Sequence, residues 1–368
     1  MARKGENIYK RKDERWEGRY IKGRDASGKT EFGYVYAKSY REVREKLANA
    51  KASRIRAPTT NRMDLGYYCE EWLLLCRSRV KESTYVKYHN IIQRHIIPRL
   101  GKEMPQNLST VAVERFSHGL LSDGFSPKTV RDILTVLRSV LKHGRRQCGE
   151  GFPEIEIIYP KEPRRDMRVL STEEQTRLVQ YLLNDMDTVK FGVLLALLTG
   201  MRIGEVCALK WSDISLQDKC VHITATMQRL QDLTVNAPSK TKVLIGEAKS
   251  DHSRRFVPLT EYAASLCEEM RPLLDDAYVL TGDTRRWMEP RALQYRLSRY
   301  SAACDLEGVH FHALRHTFAT RCVEVGFEIK SLSEILGHSS TKVTLDRYVH
   351  SSMELKRANM EKLAAVGF

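Results

Sequence analysis

The sequence predicts a multidomain, mainly α protein in three parts. A small three-stranded β-sheet plus helix comes first, then a helical bundle, then a larger, mostly α domain with a small antiparallel sheet. Three observations lead there. At 368 residues the chain exceeds what one hydrophobic core usually organises. The apolar period changes after Asn61 from short strand-like runs to the three-four spacing of helices. Two polar, proline-bearing stretches, 54–61 and 154–168, break the periodic segments and read as linkers. Domains are therefore expected at 1–56, 62–158 and 169–368.

In the first part, Asn7–Lys10, Trp16–Ile21 and Gly33–Tyr36 are short runs rich in aromatic and β-branched residues. Turn residues separate them at Asp13-Glu14 and Asp25-Ala26-Ser27-Gly28. Ser39 and Glu42 have capping-box spacing before a helix whose face carries Tyr40, Val43 and Leu47. In the second part, Leu65, Tyr68, Trp72 and Leu75 recur at helical spacing, followed by Tyr85, Tyr88, Ile92 and Ile96. Ser109 opens a third helix through Val113, Phe116 and Leu120. Ser126-Pro127 starts a fourth with Val130, Leu134, Leu137 and Leu141, completing a small bundle. In the third part, Ser171 and Glu174 form another capping box. Helices are expected near 171–184 and 187–200 and from Ile203, strands near 219–228, a return over 242–258, and helices to the end.

Charge narrows the partner. Lys+Arg outnumber Asp+Glu by 61 to 46, a net +15, and residues 1–60 hold seventeen of the basic residues against eight acidic ones. That excess suits a polyanion, because each neutralised phosphate releases counterions. Arg11, Lys12, Arg19 and Lys22, interleaved with Tyr and Trp on the expected strands, suit a sheet laid in a DNA groove. Lys87, Lys128 and Arg131 are the corresponding candidates on the bundle. The eight cysteines form no C-x-x-C pair and lie in apolar patterns, so they read as reduced thiols of a cytoplasmic, DNA-associated protein. Neither a signal peptide nor a membrane span is expected, since no apolar run approaches about 18 residues.

The chemistry-bearing residues lie in TGMRIGEVCALKW (199–211), AKSDHSRRFVPL (248–259), HALRHTFAT (312–320), LGH (336–338) and at Tyr348. They supply two guanidiniums (Arg202, Arg315), an ammonium (Lys249), two imidazoles (His312, His338) and a phenol. Breaking a phosphodiester without a metal needs a nucleophile, charge neutralisation on the non-bridging oxygens, and a proton donor for the leaving oxygen. Arginine suits the second task because its planar fork never loses its charge. Arg202 follows a Thr-Gly-Met turn into a new helix, with Glu205 in pairing range. His312 and Arg315 share a helical face. His316, one position on, is expected to point away from that face and reads as packing or hydrogen bonding within the fold. Gly337 ends a helix and turns His338 inward. Lys249 sits before a turn, with Lys242 its rival and Lys240 a weaker one.

This ordered set resembles the tyrosine recombinase (phage integrase) family, and its two main motifs match the family's signature boxes nearly throughout. The resemblance implies a SAM-like core-binding domain at 62–158 and a catalytic domain at 169–368. It further implies that 1–56 is an arm-type DNA-binding domain like those of lambda-like and conjugative-transposon integrases. It assigns Tyr348 as nucleophile forming a 3′-phosphotyrosyl bond, and Arg202, Arg315 and His338 as phosphate ligands. Lys249 would be the acid for the 5′-oxygen, His312 an aid to proton transfer, and Glu205 a support for Arg202. No metal, ATP or other cofactor is implied. The implied partners are double-stranded DNA at core and arm sites and three further copies, which form a homotetramer around a Holliday junction. An excisionase and a DNA-bending host factor complete the set, and residues 351–368 are expected to dock on a neighbouring protomer. Two competing readings are a resolvase of chromosome or plasmid dimers, disfavoured by the basic extension, and an inactive DNA-binding regulator, disfavoured by the intact polar set.

Overall fold

The structure, a computed structural model, describes residues 7–24, 30–56, 63–149, 152–163, 167–234, 236–247 and 254–348, together with 357, 360 and 361. The chain divides into two compact units, Met1–Pro163 and Arg164–Phe368. No helix among the described residues is long and apolar enough to cross a membrane.

In the first unit, β1 (Ile8–Lys10), β2 (Trp16–Arg24) and β3 (Thr30–Ala37) form an antiparallel sheet in that order. Helix α1 (Tyr40–Arg56) follows, its Glu42 amide bonded to Ser39 Oγ at 3.2 Å. Strand alternation sorts the two faces. Ile8 and Ala37 are buried with Val43 and Leu47 of α1, and Trp16 packs edge-on to Tyr40. Tyr9, Ile21, Phe32, Tyr34 and Tyr36 are exposed. Arg19 lies over the Phe32 ring at 4.2 Å and Arg11 over Tyr36 at 5.6 Å, so this open surface is aromatic and cationic together.

The bundle comprises α2 (Leu65–Arg77), α3 (Glu82–Ile91), α4 (Ile97–Leu100), α5 (Thr110–Ser122) and α6 (Pro127–Cys148). One π-helical stretch, Ile92–Ile96, joins α3 to α4. Asp64, Ser109 and Ser126 cap their helices with side-chain oxygens. The expected stripe on α2 needs one correction: Leu75 is exposed, whereas Cys69 and Leu73 are buried beside Leu65 and Tyr68. At about 100° per residue, position 75 falls roughly 160° round the helix from buried Leu73.

The stretch expected to be a free linker from 154 begins as an extended strap on the bundle. Phe152 is buried against Gly144, where a Cβ would strike its ring. Ile155, Ile157 and Tyr159 pack on the same core, and Arg131 covers Tyr159 while donating to the Pro160 carbonyl at 3.1 Å. Polar composition concealed this because apolar residues alternate with glutamates. Phe152→Ala is expected to cost about 3–5 kcal/mol of bundle stability. Limited proteolysis checks it: cleavage within 153–160 should come earlier, and an unchanged digestion pattern would refute the anchoring.

The second unit opens with α7 (Thr172–Leu183), whose Ser171–Glu174 capping box is complete. Helix α8 (Thr188–Thr199) is capped by Asp187 and buried almost all round, so it forms the centre of the core. Next come α9 (Ile203–Ala208), β4 (Ile214–Ser215), β5 (Cys220–Ile223), β6 (Ala225–Gln231), β7 (Thr241–Glu247) and β8 (Arg255–Pro258). Helices α10 (Glu261–Met270), α11 (Pro290–Ala303), α12 (Phe311–Glu324), α13 (Ile329–Leu336) and α14 (Thr341–Tyr348) complete it. The single expected sheet is two: β4-β5-β8 and a separate β6-β7 hairpin. The segment read as one strand breaks at Thr224, whose hydroxyl bonds Asp213 Oδ1 at 3.4 Å.

Candidate active site

Helix ends build the site. Helix α8 stops at Gly200 and α13 at Gly337, both in the left-handed region (φ 68° and 63°) that glycine tolerates best. Such ends leave carbonyls without helical partners, and arginines collect them. Arg315, on α12 and 1% exposed, donates to Gly200 O at 2.8 Å and Leu336 O at 2.6 Å. Arg202, the residue before α9, donates to Gly337 O at 2.9 Å. Both guanidiniums are thereby fixed by main chain, so their orientation does not rely on flexible partners.

Glu205 ties the first arginine to a third. Its Oε1 accepts from Arg202 Nη1 at 2.7 Å and its Oε2 from the Arg202 amide at 2.9 Å. Arg255 on β8 grips both oxygens, at 3.0 and 2.9 Å, and also donates to Ile335 O. Burial would raise the Glu205 pKa, but Arg255 and then Arg202 override it and hold the carboxyl at about 2. The expected support of Arg202 by Glu205 is present, and Arg255 was missed. Its signal was in the sequence: on β8, Arg255 and Val257 share the buried face, and an inward arginine requires a buried anion.

His338 follows Gly337, shares a hydrogen bond between Nδ1 and Thr344 Oγ1 at 2.8 Å, and stacks parallel to Tyr348 with ring centroids 6.2 Å apart. Tyr348 ends α14, 6% exposed, its hydroxyl 2.9 Å from His316 Nδ1. The view of His316 as turned away from the site is therefore corrected. It bonds within the fold, as expected, but its partner is the phenol. Four residues after His312, it shares that helical face, and the two rings meet edge-on at 4.3 Å.

Electrostatics mark the cluster as short of negative charge. Burial, then Arg202, pushes Arg315 down to about 9. Burial, then Arg315, pushes His338 down to about 3. His312 is partly open to solvent, yet desolvation of its ring, followed by Arg315 and Arg347, brings it to about 4. Burial raises Tyr348, while Arg315, Arg347 and Arg202 work against that rise. Each shift among the cationic groups would relax if an anion entered, which is how a phosphate site behaves before its ligand arrives.

The structure brings Arg202, Glu205, Arg315, His338 and Tyr348 together, with His312 at their edge. Lys249 lies outside the described residues. Strand β7 ends two positions before it, and its rival Lys242 pairs with Asp232 at 3.7 Å. Lys240 is exposed. Among the DNA-contact candidates, Arg11, Lys12 and Lys128 are exposed, Arg19 is half-buried over Phe32, and Lys22 lies on β2. Lys87 is paired with Asp132 at 2.8 Å, and Arg131 is held by Tyr159 and Pro160.

Comparison with known proteins identifies the family. Residues 168–354 match the phage integrase family, and 65–121 match the phage integrase N-terminal SAM-like domain. A tyrosine recombinase XerC-like protein of Caldanaerobacter subterraneus subsp. tengcongensis is 25% identical over 374 residues, 93% of each chain. The fold resembles the Tn1549 transposon integrase in complex with transposon right end DNA, with TM-score 0.68 and 20% identity, covering 82% of this chain and 100% of that one. It also resembles the lambda integrase tetramer bound to a Holliday junction, with TM-score 0.55 and 16% identity, covering 91% and 96%. The first of these family matches spans more than half the chain. The chain belongs to the phage integrase family and is a tyrosine recombinase, an enzyme that cleaves and rejoins DNA.

Proposed function

We propose that the protein integrates and excises a mobile element, with Tyr348 as its nucleophile. The Tyr348 oxygen attacks the scissile phosphorus, the bond to the 5′-oxygen breaks, and a 3′-phosphotyrosyl link remains. Arg202, Arg315 and His338 hold the non-bridging oxygens, and Lys249 gives the leaving 5′-oxygen its proton. His312, at the mouth of the site, assists proton movement. Reversal by a 5′-hydroxyl from the partner strand rejoins the DNA, so bond energy is conserved and no nucleotide is consumed. The observation that carries this reading is the gathering of Arg202, Arg315 and His338 at the helix end Leu336–Gly337, with the buried phenol stacked parallel to His338. A duplex nicked beside the cleavage point tests it, because loss of the short product strand should trap a denaturation-resistant adduct. Failure to form any adduct on a bound core site would refute it.

Lys249→Ala should slow cleavage by about 10²–10⁴-fold. A 5′-phosphorothiolate leaving group, which needs no proton, should restore the rate. Rescue of a Lys242→Ala variant instead would move the acid to Lys242.

The remaining parts follow from surface chemistry and likeness. Residues 62–158 clamp the core site, and 1–56 read arm sites with the exposed aromatic and cationic sheet face of β1, β2 and β3. Four protomers synapse two sites through a Holliday junction, residues 351–368 bridge neighbours, and an excisionase and a bending protein set direction. The enzyme works at the nucleoid. Deleting residues 1–56 should abolish protection of outer sites in footprinting while core-site protection persists. Loss of both together would show that the sheet serves the core site.

A further inference from the structure

Tyr348 must lose a proton to attack, and the hydrogen-bond partner of its hydroxyl identifies where that proton goes. The described hydrogen bond of its hydroxyl is to His316 Nδ1, 2.9 Å away, on a ring 4% exposed. A protonated phenol donates along that bond when the neutral imidazole carries its hydrogen on Nε2, which leaves Nδ1 as the acceptor. His312, by contrast, is solvent-exposed and meets His316 edge-on.

We propose that His316, rather than His312, takes the Tyr348 proton as the phosphotyrosyl bond forms and returns it when the strand is rejoined. This rests on the reading of Tyr348 as nucleophile. In the forward step the O–H bond of Tyr348 breaks toward His316 Nδ1 while the Oη–P bond forms and the P–O5′ bond breaks. The departing oxygen takes a separate proton, assigned above to Lys249. In the reverse step the 5′-hydroxyl attacks, and the Tyr348 oxygen leaves with the proton held by His316.

The surroundings fit a base that waits for substrate. The titratable and charged groups acting on His316 are His310, His312 and Arg315 from α12 and its cap, and Arg347 and Tyr348 from α14. None is a carboxylate. Burial first, and then these neighbours, bring His316 down to about 4, so it is neutral and able to accept near pH 7. A scissile phosphate placed on Arg202 and Arg315 offsets their charge and strengthens the base at the moment it is needed. Proton removal is thus coupled to occupancy, which protects against a phenolate forming without DNA.

The test uses the full chain on the nicked core-site duplex. His316→Asn keeps an acceptor, Oδ1, close to where Nδ1 stood, but cannot take a proton. It should retain core-site binding and slow adduct formation by about 10²–10⁴-fold. Installing 3,5-difluorotyrosine at position 348, whose phenol is more acidic, should recover much of that loss in His316→Asn and little of any loss in His312→Asn. Adduct formation by His316→Asn within threefold of the parent overturns the proposal. So does fluorotyrosine rescue confined to His312→Asn. Should His316→Asn not fold, as judged by melting and DNA binding, His316→Gln takes its place in the same assay and is read by the same two outcomes. Failure of the underlying reading is distinct: Tyr348→Phe would then still form adduct.

Discussion

Tyr348→Phe is expected to abolish the covalent adduct, a fall on the order of 10⁴-fold or more, while core-site binding persists. The substitution removes one oxygen and leaves the ring that stacks on His338 in place. Its structural cost is the acceptor left unpaired on His316, about 1–3 kcal/mol. Folding should survive, so lost chemistry is separable from lost structure by measuring binding to an unnicked site in parallel. The hydroxyl bonds His316 of its own chain, one residue after Arg315, which makes a further outcome specific. Mixing Tyr348→Phe with Arg315→Ala should not restore cleavage if each tyrosine serves the arginines beside it. Restored adduct in the mixture would mean that α14 crosses to a neighbouring protomer.

Legibility in the sequence followed the range of the interactions. Helices with clear stripes, such as α5 and α6, and caps such as Ser171 are local and were readable from spacing alone. Arg202, Arg315, His338 and Tyr348 stood out because polar groups in apolar surroundings need a reason. What anchors them was not readable, since Arg315 binds carbonyls at Gly200 and Leu336, 115 and 21 positions away, and main chain leaves no mark in composition. His316 was misjudged because its neighbour Arg315 drew attention to a different direction on α12, although its spacing from His312 placed it correctly. The strap at 152–160 was hidden for another reason. Its alternating glutamates look like linker, and only the Gly144 notch under Phe152 reveals the anchoring.

Glu205→Ala carries the second large effect, on stability and rate together. The carboxylate is 4% exposed and neutralises Arg202 and Arg255 at once. Removing one side of a buried ion pair leaves uncompensated charge, which typically costs about 3–5 kcal/mol. Two guanidiniums then repel across the vacated space, and among the described residues the Arg202 side chain keeps only its bond to Gly337 O, so adduct formation should fall by roughly 100-fold or more. Acid gives an independent check through the sign of the linkage. A carboxyl held at about 2 when folded, against the usual 4.5, contributes stability that is fully present above 4.5. That contribution is lost as pH falls from 4.5 toward 2. Glu205→Gln has no such proton to bind. The gap in urea resistance between parent and Glu205→Gln should therefore be wide at pH 7 and shrink below pH 4.5. A gap that stays constant across that range would mean the carboxylate's charge is not what holds the two arginines.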